Sequence, residues 1–158
     1  MPTWTPPDEW ARLKSGEGCV LCEDAHLDVN VFGTKIADLD WSWFRLANNQ
    51  YMPGWTVVTL KRHANELFEL GPDELAGYWR DVARAARALD RVFQPAKINY
   101  MVMGSLCPHV HCHLLPRSFA DDPTKPVNMN EQQVFLVPDE YAARLDVLRR
   151  ALAADAAA

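Results

Sequence analysis

Pro108-His109-Val110-His111-Cys112-His113-Leu114-Leu115-Pro116-Arg117 is the stretch around which the chain is read. Its three histidines stand at alternate positions, with Val110, Cys112 and Leu114 between and after them. A β-strand sends alternate side chains to opposite faces. With a rise of roughly 3.3 Å per residue, a strand over residues 109–115 would set the three imidazoles in a row with steps of about 6.6 Å. The apolar set Val110, Cys112 and Leu114 would then face a core. The chain has five histidines, and three of them fall here. Three readings fit such a row: exposed residues of an edge strand, a metal cluster, and a nucleophilic or acid–base site. Imidazole titrates near neutrality and can attack phosphorus, so the last reading suits phosphoryl or nucleotidyl transfer.

Outward from this stretch, residues 98–103 read as the preceding strand, with Gly104-Ser105-Leu106-Cys107-Pro108 as a tight loop between the two. Gly71-Pro72-Asp73-Glu74 is a strong helix start. Behind it, Leu75, Tyr78, Trp79, Val82, Ala86, Leu89, Val92 and Phe93 recur at steps of three and four, an amphipathic helix of about six turns that ends near Gln94-Pro95. Arg80, Arg84 and Arg87 fall on its other side and read as a solvated face. Residues 35–39, 41–47 and 55–60 read as strands, the last introduced by the turn Met52-Pro53-Gly54 and closed by Lys61-Arg62-His63. Residues 26–32 alternate weakly, and residues 134–137 suggest a brief strand.

Pro6-Pro7-Asp8-Glu9 opens a short helix that Ser15-Gly16-Glu17-Gly18 ends. Cys19-Val20-Leu21-Cys22 follows as a Cys-x-x-Cys turn, for which zinc, redox and chance readings all stand. Asp121 to Pro126 is a loop. Pro138-Asp139-Glu140 opens a final helix carrying Tyr141, Leu145, Leu148 and Leu152, and the alanine-rich end, 151–158, reads as frayed. Strands lie on both sides of one long helix without βαβ alternation, so the class is α+β with a largely antiparallel sheet. The expected organisation is a single domain over 1–158, with a core at 19–117 and a C-terminal extension with a helix over 118–154.

The chain has 158 residues, 49% of them hydrophobic and 23% charged, as in an ordinary globular domain. A net charge of −5 argues against bulk binding to nucleic-acid backbone. No apolar run approaches the ~18 residues of a membrane helix. Met1-Pro2-Thr3-Trp4-Thr5-Pro6 has neither the basic flank nor the apolar core of a secretory leader. A cytoplasmic protein is the expectation, and four cysteines in a reducing compartment read as thiols or metal ligands.

Taken together, these elements resemble the histidine-triad (HIT) superfamily of nucleotide hydrolases and transferases, in its bacterial zinc-containing form. His-Val-His-Cys-His-Leu-Leu-Pro-Arg is the specific signal. The Cys-x-x-Cys, the Pro-Gly turn into a strand ending Lys-Arg-His, the long helix and the Asn99-Tyr100 strand fall in the matching order over residues 19–117. The resemblance implies a HIT-like antiparallel sheet with one long helix and a C-terminal helix, assembled as a homodimer. It implies that His111 attacks the α-phosphate of an adenosine polyphosphate, dinucleoside polyphosphate or nucleoside phosphoramidate, forming a nucleotidyl-histidine, and that His113 stabilises charge on the phosphate or bridging oxygen. It further implies a structural zinc held by Cys19, Cys22, His63 and His109, and nucleotide contacts from Asn99, Gly104, Ser105 and Asn48. Cys107 and Cys112 remain plain thiols, Cys112 facing the core. Two positions depart from the common pattern: Ser105 stands where many members have Gln, and Trp55 where many have His. Stacking on a base and simple packing are both open for Trp55. Two other function classes stay in view, a non-catalytic nucleotide-binding protein on the same scaffold and a metalloenzyme ligated by all three triad histidines.

Overall fold

The computed structural model describes residues 4–125, 127–128 and 131–156. Met1 to Thr3 of the stretch read for a leader, Pro126 of the 121–126 loop, and Ala157 and Ala158 of the tail lie outside the described residues. The elements are α1 (Pro7–Lys14), α2 (Val20–Asp24), β1 (Val29–Asn30), β2 (Gly33–Asp38), β3 (Ser42–Ala47), β4 (Thr56–Leu60), α3 (Pro72–Phe93), β5 (Lys97–Val102), β6 (His111–Arg117) and α4 (Pro138–Ala156), with a 3-10 turn at Leu67–Glu69. The six strands form one sheet in the order β1-β2-β3-β4-β6-β5. Every pairing between them is antiparallel, as the α+β reading requires.

The sheet has two unlike faces. Phe44 and Leu46 of β3, Val58 and Leu60 of β4, Cys112 and Leu114 of β6 and Ile98 of β5 enter one buried cluster with Tyr78, Val82, Ala85 and Leu89 of α3. Those α3 positions follow the three-four spacing of a helix face. The Tyr78 hydroxyl, fully buried, donates to the Val58 carbonyl at 3.0 Å and so ties helix to strand. Gly77 lets Trp41 lie against α3, since a Cβ there would come within 2.2 Å of the indole nitrogen. Asp81, also buried, accepts hydrogen bonds from the Trp41 backbone N–H at 2.7 Å and the Ser42 hydroxyl at 2.8 Å.

α4 lies on α3 through Leu145, Leu148 and Leu152. Its Tyr141 hydroxyl donates to the Leu46 carbonyl at 2.9 Å and accepts from the Thr34 N–H at 3.0 Å. The tail corrects the sequence expectation: residues 151–156 are helical, because Asp155 pairs with Arg87 at 3.0 Å and with Arg91 at 3.1 Å. The exposed side of α3 is therefore partly an ion-paired seam, not wholly a solvated face. The brief strand expected at 134–137 reduces to one bridge between Phe135 and Asn49. The Cys19–Cys22 turn is the start of a short helix, α2, whose N-cap is Cys19.

The opposite face carries the alternate residues. Lys35, Arg45, Val57, His113 and Met101 lie in register across β2, β3, β4, β6 and β5. His111 is paired with Thr59, and Asn99 with Leu115, on the same side.

Candidate active site and metal centre

β6 begins at His111, two residues later than the alternation suggests. The reason is a tight turn in which the His109 N–H donates to the Cys107 carbonyl at 2.9 Å. His109 is thereby released from the sheet row and turned toward the N-terminal segment. Its Nδ1 lies 3.4 Å from the Sγ of Cys19 and 3.4 Å from that of Cys22. The Cys22 Sγ also lies 3.2 Å from the Nδ1 of His63. One ligand atom from each of Cys19, Cys22, His63 and His109 falls within 4.8 Å of all the others. Among the described residues this is the group of His, Cys and carboxylate side chains close enough to share an ion.

The donor set can be tested against a metal. Zinc takes thiolate sulfur at about 2.3 Å and imidazole nitrogen at about 2.0 Å, which puts the edges of a tetrahedron at about 3.3–3.8 Å. The sulfur–nitrogen separations of 3.2–3.4 Å lie a few tenths of an ångström or less below the edge of about 3.5 Å that such a pair would span around zinc. The far ring nitrogens agree. His109 Nε2 donates to the Leu60 carbonyl at 2.8 Å and His63 Nε2 to the Lys14 carbonyl at 3.1 Å, which leaves both Nδ1 lone pairs bare and inward. Burial pushes His109 down to about 4, so the ring is neutral as a ligand must be. Burial and then Cys19 push the Cys22 thiol up to about 12, a repulsion that a divalent cation reverses. Four N and S donors with no fifth position make a closed, structural type of site. Cys107 lies beside it, its Sγ 3.7 Å from that of Cys19, and burial followed by Cys19 pushes its thiol up to about 12. Cys112 is fully buried in the core, as its place in the alternation predicts.

His111 and His113 stay on the sheet face, ring centroids 5.0 Å apart and edge to face. Neither belongs to the metal group. His111 Nδ1–H donates to the carbonyl of His109 at 2.6 Å, so its Nε2 carries a free lone pair. Burial lowers the His111 pKa against the opposing pull of that carbonyl, which favours the neutral ring. His113 Nδ1 receives the indole N–H of Trp55 at 3.1 Å. Burial and then His111 push His113 down to about 3.

The other sequence-predicted residues are less tightly grouped. Asn99 sits on the histidine face of β5, one pair along from Met101, the partner of His113. Gly104 and Ser105 lie in the loop between β5 and β6 and help to line a cavity of about 200 Å³ with Trp4, Trp10, Lys14, Asn65 and Pro108. A Cβ at Gly104 would meet its nearest atom, the Cys107 carbonyl oxygen, at 3.7 Å, so folding itself does not demand glycine there. Asn48 follows β3 and commits its amide N–H to the Val31 carbonyl at 3.0 Å, two strands from β6.

Two supporting residues, Arg45 and Gln50, escape the sequence reading, and a third, Trp55, is visible there only as a departure from the family pattern. Arg45, 5% exposed, donates from Nη1 to the Gly33 carbonyl at 2.6 Å and from Nη2 to those of Ala25 at 3.1 Å and Leu27 at 2.5 Å. Gln50, 2% exposed, stitches the 47–55 turn by donating to the carbonyls of Ala47 and Trp55 and accepting the Gly54 N–H. The pairing of Val57 with His113 places Trp55 diagonally from that histidine on the same face.

An open antiparallel sheet backed by a long helix, with two histidines on its free face and a Cys2His2 knot at the entry to their strand, defines the class. The HIT domain family model matches residues 32–120, and the chain belongs to that family. Among curated proteins it is similar to the asymmetrical bis(5'-nucleosyl)-tetraphosphatase of Schizosaccharomyces pombe, 31% identical over 75 residues. That match takes in 44% of this chain and 41% of the relative, so it spans less than half of either. Among solved structures, a histidine triad protein from Bradyrhizobium japonicum superposes with a TM-score of 0.70 at 20% identity, over 96% of this chain and 99% of that one. A zinc-bound histidine triad family protein from Mycobacterium smegmatis gives a TM-score of 0.63 at 24% identity, over 89% and 97%. The diadenosine triphosphate hydrolase of Plasmodium falciparum gives 0.58 at 12% identity, over 77% of each chain. These structures share the fold. The described helices include none long and apolar enough to cross a membrane.

Proposed function

We propose that this chain is a nucleotide hydrolase or transferase that cleaves at the α-phosphate through a nucleotidyl-histidine on His111. One observation carries the reading: the 2.6 Å hydrogen bond from His111 Nδ1 to the His109 carbonyl leaves Nε2 of this half-buried ring as an unprotonated nucleophile on the sheet face. In the first step the Nε2–P bond forms and the bond from phosphorus to the leaving oxygen or nitrogen breaks. The positive charge that grows on the ring is stabilised by the carbonyl at Nδ1. In the second step water or phosphate attacks phosphorus, the N–P bond breaks and its electron pair returns to Nε2, the imidazole returns to neutral, and the proton lost by an attacking water passes to solvent. His113, beside it at 5.0 Å, contacts the phosphoryl or bridging oxygen. Asn99 and the backbone around Gly104 and Ser105 hold the phosphate and ribose, and Asn48 the ribose rim. The likeness to a dinucleoside tetraphosphatase over part of the chain supports adenosine polyphosphates and dinucleoside polyphosphates as the substrate class.

In the same reading Cys19, Cys22, His63 and His109 hold a structural zinc ion, which supplies a fixed cross-link and no reacting group. It pins α2 and the end of β4 to the residue whose carbonyl orients the nucleophile. The chain forms one domain with a core at 19–117 and a C-terminal extension over 118–154, and pairs with a second copy. β5 supports that pairing as an edge strand with exposed Tyr100 and Val102, followed by exposed Met103.

The test is His111→Ala in the full chain. Release of AMP from diadenosine tetraphosphate is expected to vanish while zinc stays near one per chain, and mass spectrometry of the parent quenched without acid is expected to show the nucleotidyl adduct on His111. Turnover unchanged by the substitution, or tight nucleotide binding by a parent that turns over none of these substrates, would sink the proposal.

A further inference from the structure

Trp55 decides which nitrogen of His113 carries the proton. The indole N–H can only donate, so the ring nitrogen it meets must be an acceptor. That nitrogen is His113 Nδ1, at 3.1 Å. The proton of the neutral ring therefore sits on Nε2. His111 is the reverse case, with its proton on Nδ1 and a bare Nε2. Two adjacent histidines on one face are thus set in opposite tautomers by different partners.

The indole is well placed to enforce this. It is 9% exposed and packs with Ala47, Met52 and Leu115 in a small cluster of its own. Its backbone is held on both sides: its N–H donates to the Met52 carbonyl at 2.9 Å, and its carbonyl accepts from Ala47 N–H and from Gln50 Nε2, both at 3.1 Å. Gln50 is fixed in turn by Arg144 of α4, whose Nη1 donates to its Oε1 at 2.9 Å. Protonating His113 at Nδ1 would set an N–H against an N–H inside this cluster.

We infer that Trp55 is a positioning residue that locks His113 as a neutral Nε2–H donor, and that it thereby biases the reaction toward phosphate leaving groups over amines. This rests on the nucleotidyl-transfer reading. A neutral imidazole can offer a hydrogen bond to a bridging oxygen, but giving its proton away would leave an imidazolate, an anion far too basic to form at neutral pH. A nucleoside phosphate needs no proton: the P–O bond breaks, the oxygen keeps the electron pair, and the phosphate departs as a stable anion with His113 still protonated at Nε2. An amine needs a proton before the P–N bond can break, and this site holds no spare one at that nitrogen. The low protonation tendency of His113, caused by burial and the neighbouring His111, agrees with the geometry.

The experiment has two readouts on the full chain. Long-range nitrogen–proton correlation spectra of the histidine rings report the tautomer. Paired kcat/KM values for diadenosine tetraphosphate and an adenosine 5'-phosphoramidate report leaving-group choice. The parent is expected to hold His113 as Nε2–H and to favour the polyphosphate by at least about tenfold. Trp55→Phe keeps the ring in its cluster and removes the donor. It is expected to mix the two His113 tautomers, to let Nδ1 take a proton from solvent so that the resulting imidazolium can pass its Nε2 proton to the leaving amine, and to move the substrate ratio toward the amidate by about tenfold, the rate equivalent of one hydrogen bond. An Nδ1–H tautomer in the parent overturns the assignment of Trp55, whatever the variant does. A tautomer that shifts in Trp55→Phe with an unmoved substrate ratio overturns the leaving-group bias. A parent with the expected tautomer and no turnover of either substrate overturns the nucleotidyl-transfer reading and the bias with it, and leaves the tautomer lock standing.

Discussion

Replacing Arg45 by methionine tests how the N-terminal segment is held over the histidine face. The guanidinium reaches three carbonyls, at 2.6, 3.1 and 2.5 Å, belonging to Gly33, Ala25 and Leu27. Two of these follow directly on α2, the helix that carries Cys22 and is capped by Cys19. Hydrogen bonds from a charged donor are worth about 1.5–3 kcal/mol each, so the three give a gross loss of about 5–9 kcal/mol. Against this, the buried cation costs several kcal/mol of desolvation, a cost that a methionine does not carry. Burial indeed lowers the Arg45 pKa, the sign of an unfavourable environment for the charge. The net loss is about 2–4 kcal/mol, since the stranded carbonyls remain partly buried. For a chain of this size that is a fall in Tm of about 5–15 °C. The same change frees the segment bearing two of the proposed zinc ligands, so zinc affinity is expected to drop at least about tenfold, as when groups that orient ligands are removed. Circular-dichroism melts and competition with a chromophoric zinc chelator read both effects. An Arg45→Met variant that melts within about 1 °C of the parent and holds zinc as tightly would refute the clamp.

Two further changes probe the parts on either side. Cys22→Ser removes a thiolate from the metal set, and plasma emission analysis is expected to find zinc well below one per chain, with a lower Tm and His111 still chemically intact. Gly54→Ala is expected to cost about 2–4 kcal/mol in denaturant unfolding, from a left-handed backbone and from overpacking, because Gly54 has φ +86° and a Cβ there would come within 2.6 Å of the Phe93 ring. Gly54 immediately precedes Trp55, so the same variant is expected to lose activity beyond its loss of stability.

The elements that could be read from the chain were those with a repeating pattern. The three-four spacing after Gly71-Pro72-Asp73-Glu74 marks α3 to within a residue or two at each end, and the alternation of Val110, Cys112 and Leu114 marks the core side of β6. What escaped is set by single hydrogen bonds between distant segments. The shift of the strand start from His109 to His111 follows from a turn closed by the Cys107 carbonyl. The helical tail depends on Asp155 meeting Arg91 and Arg87, the latter 68 residues away, within the pairing of α3 and α4. Arg45 looks like an ordinary polar residue of a half-exposed strand until the 25–33 segment folds over it. Spacing alone leaves Cys-x-x-Cys and Lys-Arg-His as separate motifs, and only the family resemblance joins them with His109; in the structure the antiparallel pairing of β4 with β6 is what brings His63 to His109.

Three histidines of one type, spaced alike, come to three different states because each has a different group at its second nitrogen. His109 gives Nε2–H to the Leu60 carbonyl and turns Nδ1 to the cysteines. His111 gives Nδ1–H to the carbonyl of His109 and turns Nε2 outward. His113 receives a proton donor at Nδ1 and keeps its own proton on Nε2. The first two are mechanically linked, because the acceptor that orients His111 is the peptide group of His109. Any force that moves the His109 backbone moves the tautomer-setting partner of His111 by the same amount. A displacement of a few tenths of an ångström from 2.6 Å weakens that hydrogen bond and lets the ring turn, without any substrate contact being touched. On the proposed zinc-holding role, the Cys2His2 group is part of what keeps the His111 lone pair pointed outward.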